Sequence, residues 1–510
     1  MRELSHRAWD AVIVGGGHNG LTAAAYLARA GMSVLVLEQR ARLGGACTLE
    51  RPFRDPEFVM SPCAYLVGLL HPVVIEELEL ARRGYRMFLC DPTQWTPFDD
   101  GSSLTQWQDP ERTAREVAAI APHDVAGFLA YGALFDRVRA RLRTGARDTW
   151  IGDAPDPAEL DDLLADDPEA HAVVLHEPIA DVVERHVHDS RLRAALHGQG
   201  LIGTFAGPRE PGTAWIHAHH QLGLLGGWGY VEGGMGRVSE CLADAAREAG
   251  AVVRTGVEVA AIVAGEGVRL AGGETISARR VLSNADPRRT LSLIDGAVPD
   301  DFRGRIDAWE MNSPVVKVNC ALARLPEFSA APGRPADVYR AQVEITGSID
   351  ATQAACETAR TGVVAPAWAE LYFQTAYDPT VAPRGVHTMS VFAQYAPYEL
   401  PDGWDGHREE IGDAVLGLVA QFAPDVGDCV VEREVLGPPD VEARVGLTGG
   451  HIFQGECLPH QMWHRRFAPR TPIPGLYLCG AATHPGGSVI AVNGRNAAMA
   501  VLADAAPETR

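Results

Sequence analysis

The chain has 510 residues, too many for one ordinary hydrophobic core, so two or three domains are expected. Hydrophobic residues make up 46% of it and charged residues 22%, as in a globular enzyme without long disordered stretches. The formal charge of −21, from 66 acidic against 45 basic residues, argues against nucleic acid as a partner and against charge-driven binding to an anionic membrane.

Membrane spans, secretion and disulfides are not indicated. No apolar run reaches the roughly 18 residues of a membrane-spanning helix, and the nearest run, residues 64–75, is interrupted by His71 and Pro72. The first strand begins near residue 10, which leaves no room for a cleavable signal peptide. The nine cysteines form no C-x-x-C pair. We therefore expect a cytoplasmic protein with no transmembrane segment, while peripheral membrane contact and the oligomeric state stay open.

The first motif in the chain is a glycine turn between two apolar strands. Residues 11–14 read as a strand, residues 21–29 as a helix, and residues 33–37 as a second strand that leads into Glu38. The turn, Gly15-Gly16-Gly17-His18-Asn19-Gly20, carries the G-x-G-x-x-G fingerprint. Its glycines allow a tight turn and a close approach to a pyrophosphate, while Glu38 can accept hydrogen bonds from ribose hydroxyls. The unit predicts nucleotide binding.

A second glycine pair follows the second strand. After Glu38 come Arg40 and then Gly44 and Gly45. A loop with two glycines can pass close to the rest of a bound dinucleotide, and the alternative is an ordinary loop. Because the fingerprint lies immediately upstream, we interpret this loop as a cofactor contact.

The remaining chain alternates between helical and α/β segments. Residues 110–200 are rich in helical patterns, residues 231–270 return to α/β, and residues 313–440 are dominated by alternating strands. This order predicts an α/β fold (α+β overall) with a Rossmann-type domain in three sequence segments, 1–75, 225–295 and 441–510. The two insertions, 76–224 and 296–440, would form one substrate-binding domain, helical in its first part and an antiparallel sheet in its second.

The most specific motif lies near the C-terminus. A strand at residues 475–480 ends in Gly480, and a loop with Gly487, Ser488 and Val489 leads into a small-residue helix near residue 493. Strand, glycine-rich loop and helix N-terminus again offer backbone donors to an electron-rich group. An enzyme that binds only a nicotinamide cofactor does not need a second such site. FAD does, because it is held at its adenosine end by the first unit and at its isoalloxazine end by this loop.

These motifs resemble the phytoene desaturase and carotenoid isomerase superfamily of FAD oxidoreductases. The resemblance runs nearly end to end and depends on the order of the motifs. The matching stretches are residues 15–20, 44–45, 233–236, 283–287, 392–398, 449–456, 478–480 and 484–487.

The resemblance implies non-covalent FAD. By it, the ADP half is held by Gly15, Gly17, Gly20 and Glu38, with adenine on the backbone of Val259, and the ribityl chain and flavin ring lie over Gly480, Gly487, Ser488 and Val489. Two positions depart from the pattern of relatives: Ala46 replaces a frequent basic residue, and Ser488 replaces a usual glycine. No second fingerprint unit is present, so a separate NAD(P)H domain is not predicted. The electron acceptor would be oxygen, a quinone or another protein.

Flavin chemistry on a C–H bond requires a pocket that holds the carbon over flavin N5 and a group that exchanges a proton. His484 in the flavin loop is the first candidate, with a structural loop histidine as the alternative. Glu456 and His451 could act as a base or brace a loop. Trp228 and Tyr230 could wall an apolar pocket or pack between domains.

Three further histidines, His217, His219 and His220, lie close together in the sequence. A metal would need additional ligands, so we predict no metal site and expect a structural or substrate-facing role for this cluster.

The sequence thus predicts an FAD-dependent oxidoreductase, desaturase-like or dehydrogenase-like. It would move a hydride between a largely apolar small molecule and flavin N5, forming or removing a C–C or C–N double bond. Two alternatives stay open: a redox-neutral cis–trans isomerase of polyenes, and a flavin-stabilised interaction protein with little turnover.

Overall fold

A computed structural model describes residues 7–506. The strands, in chain order, are β1 (Ala11–Val14), β2 (Val34–Glu38), β3 (Met87–Leu89), β4 (Gln94–Pro97), β5 (Ser103–Gln106), β6 (Gly229–Val231), β7 (Val252–Thr255), β8 (Val259–Val263), β9 (Gly267–Leu270), β10 (Thr275–Ser277), β11 (Val281–Ser283), β12 (Ile294–Asp295), β13 (Val315–Leu322), β14 (Gln342–Thr346), β15 (Trp368–Tyr372), β16 (His387–Gln394), β17 (Val430–Leu436) and β18 (Leu476–Leu478).

The helices follow the same order. They are α1 (His18–Arg29), α2 (Pro72–Glu77), α3 (Pro110–Ile120), α4 (Val125–Arg143), α5 (Pro157–Leu164), α6 (Pro168–Leu175), α7 (Ile179–His186), α8 (Ser190–His197), α9 (Thr213–Gln221), α10 (Gly236–Glu248), α11 (Pro287–Leu293), α12 (Asp300–Asp307), α13 (Ala336–Arg340), α14 (Ile349–Ala359), α15 (Arg408–Ala420), α16 (Val426–Cys429), α17 (Pro438–Val445) and α18 (Val492–Ala505). Among residues 7–506, no helix combines the length and hydropathy that crossing a bilayer requires.

A five-stranded parallel sheet, in the order β18-β11-β1-β2-β7, is the centre of the nucleotide-binding part. Strand β1 and the first four residues of β2 are continuous apolar runs because both faces of a parallel sheet are covered. Helix α1 contacts both α10 and α18. The predicted fold class, with its Rossmann-type unit, is confirmed. The predicted domain boundaries stay a prediction, and residues 1–6 and 507–510 lie outside the described part.

The second large sheet has seven strands in the order β17-β13-β16-β15-β14-β4-β5. Strands β4 and β5 belong to the first insertion, whose predicted character was helical, yet they extend the sheet of the second insertion. They do so because Trp95 of β4 is buried and packs edge-on against Phe328, with ring centroids 5.0 Å apart. Two small sheets, β10-β9-β8-β12 and β3-β6, complete the strands.

The two faces of the seven-stranded sheet differ in chemistry. Neighbouring strands place Val318, Val391, Leu371 and Val343 in one row, inside a core that also contains residues of α15. The adjacent residues on the same four strands form a second row, which consists of Lys317, Phe392, Glu370 and Glu344. Since successive side chains point to opposite faces, this polar row lies on the face away from that core.

Helix α18 approaches α1 closely at Gly494. A Cβ atom added to Gly494 would lie 2.1 Å from the carbonyl oxygen of Asn19 in the glycine turn. Only glycine therefore allows the C-terminal helix to pack directly on the turn.

We predict that Gly494→Ala destabilises the protein, because the new methyl group has no room. The expected loss in free energy of unfolding is about 1–3 kcal/mol, measured by denaturant unfolding. Gly417→Ala in α15 is the matched control, since nothing lies within 4 Å of its added Cβ. That control should be stabilised by about 0.5–1 kcal/mol; equal effects of the two substitutions would contradict the close approach.

Candidate active site

One cavity extends from the glycine turn to the polar face of the seven-stranded sheet. It encloses about 2070 Å³ of empty space, part of it open to solvent. We call the end near the turn the dinucleotide half, which is lined by Gly15, Gly17, His18, Asn19, Glu38, Arg40, Gly44, Gly45 and Val259. The sheet half is lined by Tyr65, Ile202, Trp228, Lys317, Glu370, Tyr372 and Phe392. Ser488 and Val489 of the C-terminal loop also line the cavity.

The turn and Glu38 are locked together by backbone hydrogen bonds. The N–H of Gly16 donates to Oε2 of Glu38 at 2.8 Å, and the N–H of Arg40 donates to Oε1 at 2.8 Å. Each carboxylate oxygen keeps a further lone pair that faces no described donor. Glu38 is thus oriented and still able to accept hydrogen bonds from a ligand.

The residues that line the dinucleotide half fit FAD, the cofactor that the sequence implies. A Cβ added to Gly17 would lie 2.6 Å from Nδ2 of Asn284, so only glycine lets this part of the turn pack closely against Asn284, and both residues line the cavity. Within residues 7–506, Nε2 of His18 and Oδ1 of Asn19 are buried without a hydrogen-bond partner. Burial lowers the pKa of His18 to about 4, so its ring is neutral. Both orphaned atoms are on residues that line the cavity, where ligand atoms can satisfy them.

Three predicted cofactor glycines stand behind the cavity wall instead of in it. A Cβ on Gly20 would lie 2.4 Å from the carbonyl oxygen of Gly15, one on Gly480 2.4 Å from Oε1 of Gln454, and one on Gly487 2.2 Å from Cβ of Phe453. Gln454 and Phe453 do line the cavity. These glycines therefore allow neighbouring segments to reach the cavity, and a direct cofactor contact stays a prediction.

Four of the five predicted catalytic residues do not line the cavity. Nε2 of His484 lies 2.6 Å from the carbonyl oxygen of Thr149, and burial lowers the pKa of this histidine to about 4. Nδ1 of His451 accepts the N–H of Phe453 at 3.3 Å. The hydroxyl of Tyr230 accepts the N–H of Phe373 at 3.1 Å. Their observed contacts brace loops, so catalytic roles for them stay predictions.

Glu456 is the fourth of these residues. Its Oε1 accepts the N–H of Cys457 at 2.7 Å, and burial raises the pKa of its carboxyl group. The fifth predicted residue, Trp228, does line the sheet half. Of the five predicted catalytic residues, Trp228 is therefore the one that lines the cavity, and the catalytic roles of all five stay predictions.

The sheet half contains an amine and a carboxyl group that the sequence analysis missed, those of Lys317 and Glu370. The sequence contains a signal that points to Lys317, because it is the single lysine of the chain. The other members of the Lys+Arg total of 45 are all arginines. A lysine in a buried site can lose its proton, whereas arginine stays charged. Lys317 also lies between Val316 and Val318, and this alternation of apolar and polar residues indicates a strand with one polar face.

Lys317 is held by a chain of hydrogen bonds. Its Nζ donates to Oγ of Ser390 at 2.6 Å, and that hydroxyl donates to Oδ1 of Asn319 at 2.8 Å. Nζ lies 3.5 Å from the ring centroid of Tyr65. Burial lowers the pKa of Lys317 well below its usual value, although Cys63 and Glu370 oppose this shift. The side chain is therefore poised to lose its proton.

Glu370 is the acidic counterpart. Its Oε1 accepts a hydrogen bond from Nε2 of Gln199 at 2.6 Å, and its other oxygen accepts one from the hydroxyl of Tyr372. Burial raises the pKa of Glu370. Glu344 lies directly opposite on β14, and burial together with the charge of Glu370 raises the pKa of Glu344 well above normal. The sheet half thus holds groups that can exchange protons away from bulk water.

Comparison with known proteins agrees with this geometry. Residues 96–502 match the family of flavin-containing amine oxidoreductases, and residues 13–72 match the NAD(P)-binding Rossmann-like domain. The chain is 34% identical to pyridine nucleotide-disulfide oxidoreductase domain-containing protein 2 of Rattus norvegicus, over 97% of this chain and 94% of that protein. It is 26% identical to phytoene desaturase (neurosporene-forming) of Cereibacter sphaeroides, over 98% and 95% of the two chains.

Among solved structures, putrescine oxidase bound to putrescine is similar in fold. Its TM-score is 0.62 at 17% identity, over 98% of this chain and 100% of that chain. The superfamily resemblance predicted from the sequence is confirmed. The chain belongs to the family of flavin-containing amine oxidoreductases, and it is an FAD-dependent oxidoreductase.

Proposed function

We propose that this protein binds FAD non-covalently and catalyses hydride transfer between a largely apolar small molecule and flavin N5. The bond formed or removed is a C–C or C–N double bond. The observation that supports this proposal most is the continuity of the cavity, which joins the glycine turn to Lys317 and Glu370. We further propose that the enzyme is cytoplasmic and that oxygen, a quinone or another protein takes the electrons.

The dinucleotide half would hold the ADP part of the cofactor. Glu38 would accept hydrogen bonds from the ribose hydroxyls, and the backbone of Gly17, which lines the cavity, would face the pyrophosphate. Arg289 of α11 lines the same half, and its Nε is buried without a partner among the described residues. An arginine placed in this way can donate to adenine or stack on it.

The sheet half would hold the substrate. Bound FAD supplies a hydride acceptor at N5. Ile202, Trp228 and Phe392 offer apolar surface that orients a hydrocarbon body and excludes water. Because burial lowers the pKa of Lys317, its Nζ would, once deprotonated, take the proton released from a neighbouring N–H, O–H or C–H bond, so that loss of a hydride and a proton leaves a double bond.

The adenosine end can be tested through cofactor affinity. We predict that Arg289→Met raises the dissociation constant for FAD about tenfold, since a hydrogen bond from a charged group is worth about 1.5 kcal/mol. The affinity for FMN, which lacks adenosine, should not change. Both constants are measured by quenching of flavin fluorescence.

Arg288→Met is the control for that experiment. Arg288 is exposed on the same helix, and its Nη2 donates to the carbonyl oxygen of Trp309 at 2.8 Å instead of facing the cavity. Equal weakening by both substitutions, or equal loss of FAD and FMN, would count against the assignment of Arg289 to adenosine.

The proton-transfer role can be tested at the single lysine. We predict that Lys317→Arg slows anaerobic flavin reduction as strongly as Lys317→Met, by about 10²–10⁴-fold, because arginine keeps its charge and cannot act as a base. Stopped-flow absorbance with any compound that bleaches the wild-type flavin measures the rate. Full activity of the arginine variant would show that only a positive charge is needed.

Arg324→Lys controls for changes to the same segment. Arg324 follows β13 and forms an exposed ion pair with Asp425, so its replacement should leave the reduction rate unchanged.

Product that accumulates without any acceptor being consumed would favour redox-neutral isomerisation instead. Bound flavin that no amine, terpene or polyene reduces would favour the interaction-protein alternative.

A further inference from the structure

Helix α9 carries three buried histidines with different surroundings. The ring of His217 packs edge-on against Phe135 at a centroid distance of 4.1 Å and lies outside the cavity lining. Nε2 of His219 donates to the carbonyl oxygen of Gly487 at 3.1 Å and so ties the helix to the C-terminal loop. His220 alone among the three lines the cavity.

The proton position on His220 follows from one contact. Nδ1 lies 2.8 Å from the carbonyl oxygen of Ile216, one helical turn earlier. A carbonyl oxygen only accepts, so Nδ1 carries the hydrogen. Burial lowers the pKa of His220 to about 4, and the ring therefore stays neutral near pH 7. In a neutral ring with Nδ1 protonated, Nε2 is an acceptor.

That acceptor has no donor within the described chain. His220 makes a single side-chain hydrogen bond among residues 7–506, the one from Nδ1. Its ring neighbours on the cavity side are apolar: Trp228 at 6.0 Å and Phe453 at 5.8 Å between centroids. A fixed acceptor in such a wall costs free energy unless water or a ligand donates to it.

We propose that His220 is a substrate-positioning residue whose Nε2 accepts a hydrogen bond from an O–H or N–H group of an otherwise apolar substrate. The inference rests on the proposed function, because it assigns the polar group of the molecule that the sheet half would hold. A hydrocarbon without a donor would leave Nε2 unpaired and bind less tightly. The cofactor also has O–H and N–H groups, so the test separates the two sources.

The probes are 4-ethylphenol and 4-ethyltoluene, which have nearly the same shape and differ in a hydroxyl against a methyl group. Both are titrated into the FAD-loaded protein by calorimetry. The wild type should bind the phenol about tenfold more tightly, the factor that one hydrogen bond of about 1.4 kcal/mol gives. His220→Phe keeps a ring in place and should abolish this preference. His220→Gln keeps an acceptor and should retain part of it.

His217→Phe is the matched control, the same substitution one turn earlier on the same helix, and it should keep the full preference. Three results would overturn the proposal: no saturable binding of the phenol to wild type, equal affinity for both probes, or an unchanged preference in His220→Phe. A loss of FAD affinity in His220→Phe with the preference intact would assign the acceptor to the cofactor instead. Failure of the proposed function would appear separately, as FAD that no substrate reduces.

Discussion

The two-residue period of the seven-stranded sheet is the constraint on which the site depends. Along β13, β16, β15 and β14, one set of alternate side chains forms an apolar core and the other forms a cavity wall. A register shift of one residue would place Lys317 and Glu370 in that core and Val318 and Leu371 in the cavity. Burial of the apolar row therefore also fixes the position of the row that contains Lys317 and Glu370.

Lys317 illustrates why residue type matters more than charge at this position. The chain uses arginine at every other basic position, often in exposed ion pairs where a fixed charge suffices. Behind Tyr65 and away from water, a guanidinium would remain charged and unsolvated, whereas an amine can be neutral. We infer that the single lysine is present because its site requires a group that loses a proton.

The Rossmann-type unit was predictable from the sequence because its determinants are local. The turn, α1, β2 and Glu38 lie within one short unit whose strand and helix periods are readable. The sheet half was not predictable in the same way. Lys317 and Glu370 are brought together through Phe392, by strand pairings whose partners and register local patterns do not reveal. His484 was selected for its place in a motif, but its ring turns to Thr149.

The most direct test of this account is the absorption spectrum of the purified protein before and after heat denaturation. Non-covalent FAD in the dinucleotide half predicts bands near about 370 and 450 nm, and FAD that leaves the protein on heating. A colourless protein that does not rebind added FAD would contradict the account. Flavin that stays attached to the denatured chain would contradict the non-covalent assignment.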